Sequence, residues 1–243
     1  MVEKGKSEFA EKALKRYEDQ LNRSLAKAET AKAKGISIEK VTETVAEASS
    51  KHLSVLEEVL EKVPEETKEA ITKAKGASVD GQKNALRFLA EENPERATEI
   101  NLKAAEARLN RAKAKAEEGE IEEAENAVAE FKILSKFGEE ISAIATGLGK
   151  DITTVEQLVG KATSIHLEIL AEVYEKVPEQ AKPAIEKAME VSVEGHQKAV
   201  EVLQKALTPE ALEEVLEEIP EEVPMPERVP EEVRERVKEK VKK

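Results

Sequence analysis

The sequence contains no cysteine and very few aromatic residues, and these two absences remove whole classes of chemistry. Without cysteine, the chain has no disulfide, no thiolate zinc site and no cysteine nucleophile. Aromatic residues make up 2% of the 243 residues and glycine occupies only 10 positions, so we expect a core of Ala, Leu, Val and Ile. That composition favours helices over strands.

The chain also lacks long apolar runs and a positive net charge. No run reaches the roughly 18 apolar residues of a membrane span, and the first ten residues, MVEKGKSEFA, do not resemble a signal peptide, so we expect no direct membrane insertion. The formal net charge of -13 opposes general affinity for nucleic acid. Heavy use of Glu and Lys with few amides is typical of thermophile proteins.

Motifs of known enzymes are missing as well. The sequence has no Gly-x-Ser-x-Gly elbow, no phosphate-binding loop and no dinucleotide fingerprint. The segment Gly147-Leu148-Gly149-Lys150 lies between predicted helices, where it is typical of a helix C-cap and turn. Adjacent glutamates are common throughout an acidic chain and indicate solvated faces. We therefore predict no catalytic residue, no cofactor-binding residue and no enzyme activity.

What the sequence does contain is an internal repeat. The stretch KHLSVLEEVLEKVPEE at 51–66 returns as IHLEILAEVYEKVPEQ at 165–180, an offset of 114 residues. The same offset joins five further pairs without a gap: Tyr17 and Phe131, Gly35 and Gly149, Ile71 and Ile185, Ser78 and Ser192, and Gly81 and Gly195. Repeats of this kind indicate two related structural units.

Apolar spacing predicts that these units are helical. From Ile38 the apolar positions advance in steps of three and four, which places them on one face of a helix. The predicted buried stripe comprises Ile38, Val41, Val45, Ala48, His52, Val55, Leu56, Val59 and Val63. Ser37 and its counterpart Asp151 are the predicted N-caps. Pro64 and Pro178 should end this helix in each unit and begin the next one.

The predicted fold is all-α, with two tandem antiparallel three-helix units joined by a connecting helix into an elongated bundle. The predicted segments are a first unit at 1–92, a connecting helix at 93–119, a second unit at 120–207, a short helix at 208–219, a proline-rich linker at 220–230 and a charged C-terminal helix at 231–243. Pro183 should delay the start of its helix. Gly81 and Gly195 inside helices favour close helix packing or a mild kink.

The three histidines are the candidate site residues. His52 and His166 lie on the apolar stripe, which favours partly buried rings hydrogen-bonded to a neighbouring helix. Glu-x-x-His and His-Glu-x-x-His patterns are absent around them. His196 replaces Gln82 of the first copy and could approach His166 between antiparallel helices. A metal site formed by His166, His196 and nearby carboxylates is the alternative hypothesis.

The chain ends suggest an assembly mechanism. Val2 to Gly5 matches the last turn of the connecting helix, so the first unit is predicted to lack the helix that precedes the second. The C-terminal segment carries a thin stripe formed by Val229, Val233, Val237 and Val241. It is predicted to be either a solvated helix tethered by a proline-rich linker or a helix that docks onto another helix, in this chain or in a neighbour. Docking onto a neighbour would propagate head-to-tail.

Three stretches together resemble a family of helical proteins of archaea and some bacteria, a domain of unknown function whose members are often predicted to be exported or envelope-associated. They are AEARLNRAKAKAEEGEIEEAENAVAEF, SKHLSVLEEVLEKVPEETKEAI and KVPEQAKPAIEKAMEVS. The resemblance covers two tandem copies between Gly5 and Ala206. It implies an extracytoplasmic location and supplies no catalytic residue; a native start at Met1 would instead indicate the cytoplasm.

The predicted function is that of a non-enzymatic structural or protein-interaction repeat protein. Its expected partner is a second copy of itself or another helical protein. The alternative is a ligand- or metal-binding helical module that uses His166 and His196.

Overall fold

A computed structural model describes the backbone of residues 2–241 and the side chains of residues 12–60 and 62–241. Within those limits the chain consists of helices and short connections, without strands, and the predicted all-α fold is confirmed. The helices are α1 (Val2–Ala33), α2 (Glu39–Lys62), α3 (Glu65–Glu92), α4 (Pro94–Glu118), α5 (Ile121–Gly147), α6 (Thr153–Lys176), α7 (Lys182–Ala206), α8 (Pro209–Glu218) and α9 (Glu231–Val241).

The chain divides into two compact units, Met1–Ala97 and Thr98–Lys243, referred to here as unit 1 and unit 2. Helices α1 to α3 belong to unit 1, and α5 to α9 belong to unit 2. The ends of α1, α2 and α3 recur exactly 114 positions later as the ends of α5, α6 and α7. The repeated sequence therefore ends its helices at matching places.

Three glycines end helices α1, α4 and α5 in the same way. Gly35, Gly119 and Gly149 have φ angles of +72°, +79° and +68°, a left-handed conformation that glycine adopts without a steric penalty. The residue after each glycine donates its backbone N–H back into the helix, as Lys150 N does to Ala145 O at 3.0 Å. This is the Schellman arrangement, and it confirms the predicted C-cap at 147–150.

The observed helix starts differ from the predicted ones for α1, α2 and α6 and agree for α7. Helix α1 runs through Gly5, which the repeat had placed at a helix break. Helices α2 and α6 begin one residue after their N-caps Ile38 and Ile152, so Ser37 and Asp151 were wrongly predicted as N-caps. The predicted delay at Pro183 is confirmed, because α7 begins only at Lys182.

In unit 1, α3 packs against both α2 and α1. Gly81 lets the Leu21 side chain of α1 pack directly on α3, because a Cβ atom there would lie 2.9 Å from Leu21 Cγ. Tyr17 of α1 also reaches α3, where its hydroxyl and the Ser78 hydroxyl are 2.9 Å apart. The prediction of close packing is therefore confirmed at Gly81 and wrong at Gly195, where a Cβ atom would meet nothing within 4 Å.

In unit 2, α7 is the central helix and packs against α5, α6 and α9. One buried cluster joins these helices to α4, and its largest side chains include Phe131, Leu167, Leu170, Ile185 and Met189. Helices α5 and α6 make few contacts with each other, although each packs on α7. Space therefore remains between α5 and α6.

The C-terminal part of the chain is packed onto the rest of unit 2, contrary to the prediction of a solvated helix tethered by a proline-rich linker. Val223, Met225 and Val229, between the prolines, are buried in the same cluster as α7. Val233 and Val237 of α9 are buried as well. The alternative prediction, that this segment docks onto a helix of the same chain, is confirmed. The thin valine stripe covers part of α7.

No helix among residues 2–241 combines the length and the apolar composition that crossing a membrane would require.

Candidate functional site

The repeated histidines occupy different environments. His166 is 6% exposed, whereas His52 lies on the protein surface. Each ring meets an aromatic ring edge to face: His52 with Tyr17 at a centroid distance of 4.9 Å, and His166 with Phe131 at 5.1 Å. The predicted burial is thus right for His166 and wrong for His52. Burial lowers the pKa of His166 to about 4, so this imidazole is neutral at pH 7.

His196 holds the segment that follows α8. Its side chain is fully buried, and its Nε2 atom lies 2.7 Å from the carbonyl oxygen of Pro220. A carbonyl oxygen can only accept, so Nε2 carries the hydrogen and donates it. Gln82 occupies the matching place in unit 1. The change from Gln82 to His196 therefore accompanies a contact that only the C-terminal part of the chain provides.

The metal hypothesis finds no ligand set in the part of the chain that the structure describes. Among the side chains of residues 12–60 and 62–241, no group of three or more His, Asp or Glu is arranged to hold a metal ion. Nε2 of His196 already donates to Pro220, and the ring of His166 packs against Phe131. The two histidines have separate structural contacts.

A regular apolar face of α2 lies at the protein surface. The residues of this α2 seam, spaced alternately four and three apart, are Val41, Val45, Ala48, His52, Val55 and Val59. Val41, Val55 and Val59 are 48%, 56% and 38% exposed. Such alternation is the pattern of a helix that packs against another helix. The predicted buried stripe was wrong here, apart from Ile38.

Unit 1 instead buries a neighbouring face of α2. Its members are Ile38, Thr42, Ala46, Ser49, Leu53 and Glu57. Small and polar side chains dominate this face, and Glu57 is 3.4 Å from Lys75 of α3. Because polar residues occupy half of these positions, hydrophobic periodicity did not identify them. The same periodicity did find the α2 seam, whose apolar residues lie at the surface.

The matching face of α6 is covered. Counterparts of the α2 seam are Val155, Val159, Ala162, His166, Ile169 and Val173, and none of them is exposed. Alongside the C-terminal half of this face lies α4, whose Leu109, Ala112 and Ala116 belong to the same buried cluster as Val173. This face of α6 is therefore buried by α4, whereas the matching face of α2 is exposed.

Two ion pairs accompany this contact between α4 and α6. Lys113 of α4 pairs with Glu172, and Glu117 of α4 pairs with Lys176. The pairing holds the pKa of Glu172 and of Glu117 below their usual range. In unit 1, Glu58 and Lys62 stand at the positions of Glu172 and Lys176, on the exposed side of α2. The open face thus repeats the charges as well as the apolar residues of the covered one.

Comparisons with known proteins return no matching family model, no matching curated protein and no matching solved structure. The resemblance to a helical domain of unknown function stays a prediction from the sequence.

Proposed function

We propose that this chain is a non-enzymatic interaction protein whose unit 1 binds an amphipathic helix along the C-terminal half of the α2 seam. The observation that carries the proposal is the contrast between the two copies, in which α6 is covered by α4 and α2 is open. The partner is a helix of the α4 type, with small apolar residues along one face and a Lys and a Glu four residues apart beside it. Helix-in-groove recognition works in this way.

The chemistry of the open face supports this partner. Val55 and Val59 are the counterparts of Ile169 and Val173, and small residues on the partner would let the two helices approach closely. Glu58 would meet the partner's lysine and Lys62 its glutamate, as Glu172 and Lys176 do in unit 2. Burial of the valines would supply most of the affinity, because exposed ion pairs contribute only about 0.2–1 kcal/mol each.

The proposal differs from head-to-tail assembly through the C-terminal segment. That route would require α9 to leave α7, where Val233 and Val237 are buried. A helix supplied by another polypeptide needs no such rearrangement.

A peptide with the sequence of residues 102–119, titrated into the full-length protein, tests the proposal directly. We expect saturable binding, followed by fluorescence anisotropy of a labelled peptide, because Val55 and Val59 of the α2 seam are exposed. Val55→Asp should abolish binding. Ile133→Asp is the matched control, since Ile133 is a 46% exposed apolar residue on α5 of unit 2.

Charge exchange tests the register. Glu58→Lys should weaken binding by about twofold to fivefold, and a peptide with Lys113→Glu should restore it. Absence of binding, or equal binding to the Val55→Asp and Ile133→Asp variants, would overturn the proposal. Sedimentation could instead show a dimer that is lost on Val55→Asp, in a protein that does not bind the peptide. That result would mean that the partner of the α2 seam is a second copy of this chain and not an α4-type helix.

A further inference from the structure

Unit 2 contains a cavity of about 640 Å³ between α5 and α6, with α7 as its floor and the start of α4 at one side. Its volume lies within the range of small-molecule sites in proteins. Most of its surface is apolar, with contributions from Leu102, Ala143, Ile152, Val159 and Val202. This cavity takes no part in the helix binding proposed for unit 1.

The corresponding place in unit 1 is filled by a side chain. Leu21 projects onto Gly81, and a Cβ atom on Gly81 would lie 2.9 Å from Leu21 Cγ. In unit 2 the counterpart of Leu21 is Ser135, and a Cβ atom on Gly195 would meet nothing within 4 Å. Both Ser135 and Gly195 line the cavity. The change from Leu21 to Ser135 thus removes from unit 2 the side chain that fills this space in unit 1.

Three further differences between the copies make the unit 2 cavity polar at selected points. Leu25, Ala28 and Thr42 of unit 1 become Glu139, Ser142 and Glu156, all of which line the cavity. Glu156 is 6% exposed, and Ser142 donates a hydrogen bond to it. Burial, together with repulsion from Glu139, raises the pKa of Glu156 above its usual value, although the Ser142 hydrogen bond opposes this shift. A carboxyl group buried in this way favours a ligand that supplies a proton donor or a positive charge.

Several other polar groups around the cavity already have hydrogen-bond partners. Thr163 and Ser192 donate to backbone carbonyls of their own helices, at 2.9 Å and 3.1 Å. Lys198 donates to Glu139 at 3.0 Å and to Glu194 at 2.8 Å. Against this one lysine, Glu139, Glu156 and Glu201 line the cavity, so its charge disfavours fatty acids and phosphates.

We propose that the cavity binds a hydrophobic amine, a small molecule with one ammonium group and an apolar body. The ammonium donates to the carboxylate of Glu156, and the apolar body lies against Ile152, Val159 and Val202. The neutral imidazole of His166, which also lines the cavity, supplies a second acceptor. Exclusion of water strengthens a charge-assisted hydrogen bond of this kind.

Titration calorimetry of the full-length protein with three eight-carbon probes, 1-octylamine, 1-octanol and octanoate, tests the proposal. The expected order of affinity is amine, alcohol, carboxylate. Glu156→Gln should lower the affinity for the amine by about tenfold or more while leaving the alcohol within twofold. Glu122→Gln, at an exposed position of α5 outside the cavity lining, is the matched control and should change the affinity for the amine by less than threefold. Equal affinities for the amine and the alcohol, or an amine affinity unchanged by Glu156→Gln, would overturn the proposal.

Filling the cavity provides an independent test. Ser135→Leu recreates the closed arrangement of unit 1 and should abolish binding of all three probes. Gly195→Leu places a side chain in the same space from α7, and it serves if Ser135→Leu fails to fold by circular dichroism. Retention of amine binding by a folded cavity-filled variant would show that the ligand lies elsewhere and would contradict the proposal. Because α2 is untouched, helix binding by unit 1 is unaffected by either outcome.

Discussion

Different residues accept the hydrogen bonds of the first backbone N–H groups of α2 and of its counterpart α6. The amides at the start of α2 are satisfied by Glu92 at the end of α3, which accepts from Ile38 N and from Glu39 N at 3.0 Å, while Ser37 donates to it at 2.8 Å. The counterpart of Glu92 in unit 2 is Ala206, and there Asp151 accepts from Thr153 N at 2.8 Å. A carboxylate at a helix N-terminus is favourable whichever segment supplies it.

Glu92→Gln should therefore destabilise unit 1 by about 1 kcal/mol at pH 7. Burial opposes ionisation of Glu92, but hydrogen bonds from Ser37, Ile38 and Glu39 outweigh it, and the pKa lies below its usual value. A depressed pKa means that the carboxylate contributes stability above its unfolded pKa and loses it as the pH falls through the folded value. The difference between wild type and variant in urea unfolding should thus shrink from pH 7 to pH 3.

Glu29→Gln, at an exposed position of α1, is the control and should leave stability within about 0.5 kcal/mol of wild type. A Glu92→Gln effect that is the same at both pH values would show that charge is not what matters at this cap.

At the scale of elements, the sequence predicted the helices well and their packing faces less well. Glycine and proline punctuation placed the ends of α1 to α7 because these residues act locally through backbone conformation. The buried face of α2 could not be found, since Thr42, Ser49 and Glu57 look like surface residues. The cavity depends on Ser135, whose effect is visible only beside Leu21 in the folded structure.

The C-terminal segment after α8 also shows what sequence periodicity cannot predict. Four prolines between 220 and 230 indicated a linker, yet burial of Val223 and Met225 holds this segment on unit 2. Gly160 of α6 admits Ile219, because a Cβ atom there would lie 2.6 Å from Ile219 Cγ2. Contacts between residues so far apart in sequence are outside the reach of local periodicity.

Val237→Asp should release α9 from α7. Val237 is fully buried, and placing an unpaired carboxylate there should cost about 2–4 kcal/mol. Arg236→Ala removes the 2.7 Å ion pair with Glu186 at the same interface, and it should cost about 1 kcal/mol, less than Val237→Asp, because the Arg236 side chain is 48% exposed. Limited proteolysis should cleave after α7 rapidly in Val237→Asp and slowly in Arg236→Ala. The reverse order would show that ion pairs, not valines, hold the helix.

At the scale of the whole molecule, the two units have cores of different quality. Unit 1 buries many alanines together with polar side chains such as Thr42 and Ser78. Unit 2 adds Phe131, Ile141 and Met189, and the C-terminal segment covers it further. Larger apolar side chains bury more surface per residue, and burial is the dominant stabilising term in folding. The open α2 seam also leaves unit 1 without the helix contact that stabilises unit 2.

Unit 1 should therefore unfold before unit 2. Hydrogen exchange followed by mass spectrometry at increasing urea concentration should show loss of protection in α2 and α3 while α6 and α7 remain protected. Addition of the peptide of residues 102–119 should raise the stability of unit 1 alone, by about 2.7 kcal/mol at a free concentration one hundred times Kd. The Val55→Asp variant is the control, in which the peptide should have no effect. Simultaneous loss of protection in both units would show that they form one cooperative structure. In that case the difference between the two cores would not determine which unit unfolds first.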